Sequence, residues 1–539
     1  MSNIIQHSNF EVEQVEQQTL MGSVTKHYLV FRRNLDETII NYLKTILDDE
    51  DELYNDPVKI TPDDLYPHIK TIQNRIETSE DFSLLELADW LRTFYQDKLE
   101  QLERMNQDGK INFNNLESIF PIGTKCIGKI LDQEVGFIVS SNNRGTDHFG
   151  TPIFNLIGRV TFSNGDKFKQ IDKTFQIQQF RGAVTVEQLD IRPITEEELQ
   201  NLTERGRKMI KYGLSATYAS YVGSMFRKTQ YGIYKFKADG RIMIDPTGFK
   251  KNNPSYPLLG SHNNSFDCQS VPDDLLFMCY PFCTGFSFSS KQWGEIYIEN
   301  VSDISYYDKA FDYLVLEDSI KKMVKALICN SEGVFGDIIS GKSKSTIMCL
   351  SGPPGTGKTL LSESISEFLH KPLYSISSGE LGTSVDILEK KLNEILELAY
   401  AWNAIILIDE ADIFMEERST NDIQRNAMVS VFLRLLERYQ GIMFLTTNRP
   451  DNFDPAFKSR ISISIKYKEL DKETRFKIWT NLLGASNIFI ENEEIHELSE
   501  TQMNGRQIKN AIRMSQCLAN DSGSNVTKEV VKAVLPFII

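Results

Sequence analysis

The feature that most constrains this chain is a glycine-rich run of eight residues, Gly352-Pro353-Pro354-Gly355-Thr356-Gly357-Lys358-Thr359. An apolar run at 346–350 precedes it and an amphipathic run to about Leu369 follows it, which predicts a strand, a loop and a helix. The glycines let backbone N–H groups turn inward at the start of the helix and form a nest for an anion. We expect Lys358 to reach the β- and γ-phosphates of a nucleotide and Thr359 to join the shell of a Mg²⁺ ion. The run is a P-loop pattern and predicts ATP and Mg²⁺ as cofactors.

A second motif supplies two carboxylates. The apolar run 404–408 ends in Asp409 and Glu410, and a buried strand of a parallel sheet delivers such residues to the ligand-binding edge of the sheet. We expect Asp409 to help hold Mg²⁺ and Glu410 to polarise the attacking water as general base. An acidic pair after a strand can also be a solvated turn. The distance from Lys358 leaves room for a helix, a strand and a second helix, which favours the catalytic interpretation.

Two further positions are candidates for contact with the γ-phosphate. The next strand ends in Thr446-Thr447-Asn448, and the amide of Asn448 can donate to the phosphate or orient the water beside Glu410. The alternative is an Asn that only forms a turn before Arg449. Arg460 precedes the last apolar run, 461–465, and is expected to reach the γ-phosphate of a neighbouring subunit. The alternatives are a surface ion pair for Arg460 and Arg449 as the arginine that acts across the interface.

The regularity of the chain after residue 311 predicts its fold class. Apolar runs alternate with turn residues and amphipathic segments, which is typical of an α/β protein with a parallel five-stranded sheet. The tail from Lys472 has helical periodicity and predicts a compact lid. We therefore expect four regions: a helical one over 1–120, a mixed, β-rich α+β domain over 121–310, a nucleotide-binding core over 311–470 and a helical lid over 471–539.

Together these residues resemble the AAA ATPase family, and the run from Asn448-Arg449-Pro450 to Asp454-Pro455-Ala456 is similar to its second region of homology. The resemblance covers residues 311–539. It is closest to the single-AAA-domain ATPases of unassigned function common in fungi, through the runs 376–383, 439–442 and 504–510, and it extends upstream to 240–245. The resemblance implies a homo-oligomeric ring, a hexamer, with nucleotide at subunit interfaces and an unidentified protein substrate that the ring remodels. In this ring Arg506, at the start of a lid helix, is expected to contact the phosphates, the alternative being a cation on the helix face.

Two departures from the family pattern bear on function. Many AAA unfoldases grip polypeptide with an aromatic residue after the second strand, whereas residues 382–386 contain none. The usual finger region, with two arginines, is reduced to Lys458-Ser459-Arg460. The missing aromatic counts against peptide threading, and the altered finger region lets only one arginine finger, Arg460, be matched. They leave open a nucleotide-switched assembly factor or scaffold that hydrolyses slowly.

Composition and charge exclude several other classes. The net charge of −15 discourages non-specific binding to nucleic acid or anionic membrane. Basic and aromatic residues alternate over 230–251, but a strand with one solvated charged face explains them equally well. A helicase motif is also matched, by the run Asp409-Glu410-Ala411-Asp412. Too few residues follow this run to complete two RecA-like domains, so a nucleic-acid motor is disfavoured.

The remaining composition bears on compartment and metal. The seven cysteines are scattered without a Cys-x-x-Cys pair, which favours a reducing compartment and gives no support to a zinc site. The chain shows neither a signal peptide nor a membrane span. We expect a cytoplasmic or nuclear protein.

Overall fold

A computed structural model describes residues 3–8, 10–19, 22–47, 51–69, 72–73, 75–76, 84–100, 108–257, 267–268, 271–329, 345–417, 422–449 and 453–538. The chain forms two compact units. The first unit contains Met1–Leu214, Pro257–Cys283 and Tyr297–Glu299, and the second contains Ser215–Tyr256, Thr284–Ile296 and Asn300–Ile539.

The amino-terminal part of the first unit is an antiparallel sheet covered by helices. Its strands lie in the order β1-β2-β3-β4, with β1 at Asn3–Gln6, β2 at Glu11–Thr19, β3 at Gly22–Phe31 and β4 at Val58–Ile60. Helices follow at Arg33–Ile46, Pro62–Leu65 and Leu85–Phe94, with 3₁₀ turns at Asp51–Tyr54 and Tyr66–His68. Leu87 and Leu91 of the third helix pack with Leu29 and Phe31 of β3 in one apolar cluster. The buried residues of this helix, Leu87, Ala88 and Leu91, lie on one face, as is usual for an amphipathic helix.

The rest of the first unit is a six-stranded sheet in the order β11-β6-β7-β8-β9-β16 and a two-stranded sheet of β5 and β10. The strands are β5 Lys110–Asn112, β6 Lys125–Ile130, β7 Gln133–Thr146, β8 Pro152–Ser163, β9 Phe168–Gln178, β10 Ala183–Thr185, β11 Arg192–Pro193 and β16 Asp267–Cys268. The helix Glu196–Tyr212 follows β11, and 3₁₀ turns lie at Phe113–Ser118, Val186–Gln188 and Asp273–Met278.

The second unit begins with a seven-stranded sheet in the order β14-β13-β18-β17-β15-β12-β19. Its strands are β12 Thr217–Tyr221, β13 Ser224–Thr229, β14 Gly232–Lys237, β15 Gly240–Ile244, β17 Phe282–Ser287, β18 Gln292–Tyr297 and β19 Val301–Ser302. The short helix Pro246–Asn252 and 3₁₀ turns at Ile298–Asn300 and Asp308–Phe311 accompany it.

The second sheet of this unit is parallel and has the order β21-β22-β23-β20-β24. Its strands are β20 Thr346–Ser351, β21 Leu373–Ser377, β22 Ile405–Asp409, β23 Ile442–Thr447 and β24 Ile463–Lys466. In β22, Ile406 and Ile408 enter one apolar cluster while Ile405 and Leu407 enter another. Both faces of the sheet are therefore buried, which explains why its strands are continuous apolar runs.

Helices cover this sheet and form the lid. Around the sheet they lie at Asp318–Cys329, Lys358–Leu369, Ser378–Leu381, Val385–Ala401, Asp412–Met415, Ile423–Arg438 and Pro455–Lys458. The lid consists of Lys472–Ala485, Asn492–Leu498, Gly505–Asp521 and Lys528–Val534, with a 3₁₀ turn at Leu535–Phe537. Trp479 lies in the apolar cluster that joins these helices. The predicted α/β core with a helical lid, preceded by a β-rich part, is confirmed.

An aromatic cluster joins the two sheets of the second unit. The Trp402 ring lies 5.4 Å from Phe286 and 5.7 Å from Trp293, measured between ring centroids. Its indole N–H donates to Asp245 Oδ2 at 2.8 Å. Because these side chains are buried or nearly so, the antiparallel sheet covers apolar surface of the parallel sheet's own core.

The structure corrects the expectation of a helical region over 1–120, because residues 3–31 are mainly strands. Residues 215–256, 284–296 and 300–310, placed by sequence in a separate domain, belong to the same compact unit as the parallel sheet. In the basic stretch, Arg241 pairs with Glu367 at 3.0 Å and Lys251 with Glu397 at 2.7 Å. Among the described residues, no helix is long and apolar enough to cross a membrane.

Candidate active site

The P-loop connects the buried strand β20 to the helix Lys358–Leu369, as the sequence predicts. Gly352, Gly355 and Gly357 have φ values of +142°, +74° and +99°. A Cβ at Gly352 would also lie 2.4 Å from the carbonyl oxygen of Tyr467. Residues with a Cβ rarely adopt these conformations, so the loop requires glycine at these points in order to turn its N–H groups inward.

Lys358 folds back onto the loop that precedes it. Its Nζ donates to Gly352 O at 2.7 Å, to Pro353 O at 2.8 Å and to Asn448 Oδ1 at 2.9 Å. An ammonium group has three donors, and these acceptors use all of them. Burial lowers the pKa of Lys358, and the negative charge of Asp409 opposes this effect. A phosphate bound in the nest would replace one or more of these neutral acceptors by a charged one.

The contact with Lys358 also sets the orientation of the Asn448 side-chain amide. Because the carbonyl oxygen of its side chain faces Lys358, the amide NH₂ is the half that remains to donate. Asn448 is exposed, immediately after the buried end of β23. Its position therefore suits a donor to a phosphate oxygen or to an attacking water.

Asp409 is the last residue of strand β22 and Glu410 is the first residue after it, and both charges act on Lys358. The hydroxyl of Thr446 donates to Asp409 Oδ1 and accepts from the backbone N–H of Glu410, the latter at 3.0 Å. Glu410 has φ +54°, a left-handed conformation that is uncommon for a residue with a side chain. Strained backbone of this kind persists where the surroundings determine it, and it is concentrated at active sites.

A second threonine organises the adjacent turn. The Thr447 hydroxyl donates to Asp412 Oδ1 and accepts from the backbone N–H of Arg449 at 2.9 Å. The negative charge of Asp412 acts on Lys358 in the same direction as that of Asp409. Two successive threonine hydroxyls at the end of β23 thus each bind one acidic side chain: Thr446 binds Asp409 and Thr447 binds Asp412.

The third helix of the lid begins against the P-loop. The N–H of Gly505 donates to Gly355 O at 2.9 Å, and a Cβ at Gly355 would lie 2.6 Å from the side chain of Asn504. Asn504 caps the helix Gly505–Asp521 by accepting from the N–H of Gln507 at 2.9 Å. The exposed Arg506 therefore lies one residue from a direct contact with the P-loop, and its positive charge contributes to the lowered pKa of Lys358 after the larger effect of burial.

The structure of the single chain does not bring Arg460 to the P-loop. Its Nη1 donates to Ala456 O at 2.7 Å and its Nη2 pairs with Glu437, while its buried Nε has no hydrogen-bond partner. Arg449 is more exposed, at 70%, and lies 3.6 Å from Glu416. Pro450, in the same run, lies outside the described residues.

The residues present fit a Mg²⁺–nucleotide complex. Asp409 and Thr359 supply a carboxylate and a hydroxyl, the hard oxygen ligands that Mg²⁺ prefers. In the part of the chain that the structure describes, no group of three or more His, Cys, Asp or Glu side chains forms a metal site. Such a cluster is not needed, since Mg²⁺ in sites of this type takes its remaining ligands from phosphates and water.

Sequence reasoning missed Thr446, Thr447, Asp412 and the contact between Gly505 and Gly355. The signal for the two threonines was present, because adjacent hydroxyl residues end a strand that is otherwise apolar over 442–445. The contact between Gly505 and Gly355 carries no such signal, because it depends on where the lid folds.

The comparisons with known proteins agree with this geometry. Residues 348–469 match the family model for the ATPase family associated with various cellular activities (AAA). Residues 348–469 form an AAA ATPase domain. The matched segment runs from β20 past β24 and contains the P-loop, Asp409, Glu410, Asn448 and Arg460. In the first unit, residues 101–198 match a domain of unknown function, DUF7025.

Similar proteins share only part of the chain. A putative 26S proteasome regulatory subunit homolog of Methanothermobacter thermautotrophicus is 27% identical over 186 residues, which are 32% of this chain and 50% of that protein. Fidgetin-like protein 1 of Drosophila melanogaster is 31% identical over 160 residues, 28% of this chain and 31% of that protein. The solved AAA domain of FIGL-1 in complex with ADP has 20% identity and a TM-score of 0.35, covering 44% of this chain and 86% of that one. This chain thus spans half or less of the length of these two curated relatives.

Proposed function

We propose that this chain is a Mg²⁺-dependent ATPase that works as a homo-oligomeric ring and remodels a macromolecular substrate in the cytoplasm or nucleus. The observation that carries the proposal is the bond between Lys358 and Asn448, which joins the P-loop to the strand end next to Asp409 and Glu410. A phosphate-binding lysine, a metal-binding carboxylate, a general base and an amide donor therefore meet at one edge of the parallel sheet. This set is what ATP hydrolysis requires.

Each residue then has one task. The P-loop N–H groups and Lys358 hold the β- and γ-phosphates, and Thr359 and Asp409 would hold Mg²⁺, which when bound neutralises phosphate charge. Glu410 accepts the proton of the attacking water, and the NH₂ of Asn448 orients that water or the γ-phosphate. Arg506 adds positive charge from the lid.

The ring is proposed because Arg460, the arginine expected at a γ-phosphate, makes its described bonds to Ala456 and Glu437 and not to its own P-loop. Arg460 lies away from its own P-loop, and its pairing with Glu437 is at a half-buried position rather than in the core. Pairs of this kind are weak enough to exchange for a phosphate of a neighbouring subunit. A hexamer is the ring size that the resemblance to AAA ATPases implies.

One observation favours a slower, switch-like relative of this function. The segment 382–386, where unfoldases carry a gripping aromatic, lacks one here. Within it, Thr383 O accepts from Gln424 at 3.2 Å. Just before it, Glu380 pairs with Lys291 at 2.6 Å and its carbonyl accepts from Lys391 at 2.7 Å. A restrained segment suits an assembly factor that changes shape with nucleotide better than a threading motor.

Two substitutions separate binding from hydrolysis. Lys358→Ala should weaken ATP binding about 10- to 100-fold, because it removes charge-assisted bonds to phosphate. Glu410→Gln should keep ATP binding and lower kcat by about 10²- to 10⁴-fold, because it removes the general base. Equilibrium binding of a fluorescent ATP analogue and phosphate release measure the two effects. Glu394→Gln, an equal change of charge at an exposed helix position, is the control. Normal phosphate release by Glu410→Gln would contradict the proposal.

A further inference from the structure

Thr446 contacts both acidic residues of the proposed hydrolytic site. It is 1% exposed, and its hydroxyl makes two bonds, one given to Asp409 Oδ1 and one received from the N–H of Glu410 at 3.0 Å. A hydroxyl has one hydrogen to donate, and here the carboxylate takes it. The same oxygen is then the acceptor for the backbone of the next residue.

The backbone of Thr446 also binds the residue that follows Glu410. Its carbonyl oxygen accepts from the N–H of Ala411 at 2.9 Å. Two successive N–H groups, those of Glu410 and Ala411, therefore bind the same threonine. This matters because Glu410 is in the left-handed conformation at φ +54°, which a residue with a side chain holds only when its surroundings determine it.

The position of Thr446 in the sheet places it between the strand that leads into the P-loop and the strand that carries the carboxylates. Strand β23 lies between β20, which leads into the P-loop, and β22, which carries the carboxylates. Thr446 is paired with Leu350 of β20, while the ladder between β23 and β22 has its last pair at Leu445 and Ile408. Beyond that pair, the Thr446 hydroxyl replaces the ladder and connects Asp409 and Glu410 to the strand that also borders the P-loop.

We propose that Thr446 is a positioning residue for ATP hydrolysis: its hydroxyl holds the Asp409 carboxylate and the Glu410 backbone in the geometry that metal binding and water activation need. The inference rests on the proposed function, since it assigns to Thr446 a role in the same site. It predicts that removing the hydroxyl affects the metal and turnover but not the nucleotide itself.

The test compares Thr446→Val, which keeps the shape and removes the hydroxyl, with Thr446→Ser, which keeps the hydroxyl. In the full chain with a non-hydrolysable ATP analogue, Mn²⁺ affinity measured by electron paramagnetic resonance should fall about 10- to 100-fold in the Val variant, the range typical of residues that orient a metal ligand. We expect kcat to fall by a similar factor, analogue affinity without metal to change less than about twofold, and Thr446→Ser to restore both values to within about threefold.

The matched control is Thr346→Val. Thr346 is 9% exposed and lies in the neighbouring strand β20, opposite Ile442 at the other end of the sheet from the site. The substitution Thr346→Val should leave Mn²⁺ affinity and kcat unchanged. If Thr446→Val does not fold, as judged by circular dichroism and gel filtration, Thr446→Ala replaces it.

The outcomes separate this inference from the proposed function. Wild-type kcat and Mn²⁺ affinity in Thr446→Val overturn the positioning role, as does a Ser variant as impaired as the Val variant, which would indicate packing instead. If the wild-type chain does not hydrolyse ATP, or if Glu410→Gln hydrolyses it normally, the proposed function fails first.

Discussion

At the scale of single residues, the site depends on backbone conformations that side chains then use. The P-loop glycines have positive φ values, and Glu410 has one despite its side chain. The Thr446 hydroxyl binds the backbone N–H of Glu410, and the side chain of Asn504, which caps a lid helix, lies beside Gly355. The sequence predicted that Lys358, Asp409 and Asn448 lie at one edge of the sheet, where the structure has them close together, and their contacts with phosphate stay a prediction. It assigned no role to Thr446, although the adjacent hydroxyls at 446–447 were a usable signal, and it could not predict the contact of Gly505 with Gly355, which depends on where the lid folds.

Gly355 gives a prediction at this scale. Gly355→Ala places a Cβ where the structure has the side chain of Asn504, 2.6 Å away, at φ +74°. The P-loop and the lid cap must then separate, so ATP affinity should fall about tenfold, in line with a strain of about 1–3 kcal/mol.

The measurement is equilibrium binding of a fluorescent ATP analogue. Gly379→Ala is the control, since Gly379 lies in a short helix and a Cβ added there would have no neighbouring atom within 4 Å. Unchanged affinity in Gly355→Ala would show that the contact between loop and lid does not support binding.

At the scale of helices and strands, elements whose own sequence shows their burial were predicted well. Elements that depend on contacts with distant segments were not. The parallel strands were predicted almost to their ends, because strands buried on both faces are apolar throughout. The amino-terminal strands were not, since β2 contains mainly Glu and Gln, with few apolar residues, and its conformation comes from pairing with β3. The grouping of residues 215–256 with the AAA core was also missed, because it depends on aromatic contacts between residues far apart in sequence.

A prediction at this scale concerns the aromatic cluster around Trp402. Trp402→Ala should destabilise the second unit by about 3–5 kcal/mol, because it removes a large buried ring and leaves Asp245 without its indole donor. Chemical denaturation of the full chain measures this effect. The unfolding transition to follow is the one whose midpoint shifts when ATP is added.

Tyr400→Ala is the control for this change. Tyr400 lies in the helix Val385–Ala401, which ends just before Trp402, but it is 65% exposed, so its loss should alter stability by less than about 0.5 kcal/mol. Equal effects of the two substitutions would mean that the antiparallel sheet is not anchored by Trp402.

At the scale of the whole molecule, the chain passes between its two units more than once, and the AAA domain is embedded in a larger second unit. That unit includes a seven-stranded sheet that the family match does not cover. The proposed ring would therefore carry this sheet as part of each subunit. The nucleotide site would be completed only by a neighbour.

Mixing variants tests that completion. Arg460→Ala alone should lower kcat by about 10³- to 10⁵-fold if the arginine acts across an interface. Lys358→Ala and Arg460→Ala chains mixed together should recover part of the activity, because some interfaces pair an intact P-loop with an intact arginine. A mixture as inactive as either variant, after exchange of subunits has been verified, would assign no such role to Arg460. Arg449→Ala, treated in the same way, examines the competing arginine.

The most direct measurement of the central claim is a single turnover of ATP bound to the Glu410→Gln protein with Mg²⁺. Rapid-quench analysis of γ-labelled ATP should show the wild-type chain converting bound ATP to ADP and phosphate. The variant should bind the same ATP and leave it intact over about a hundred wild-type turnover times, given the loss expected for a general base. Conversion of ATP by the variant at the wild-type rate would contradict the account.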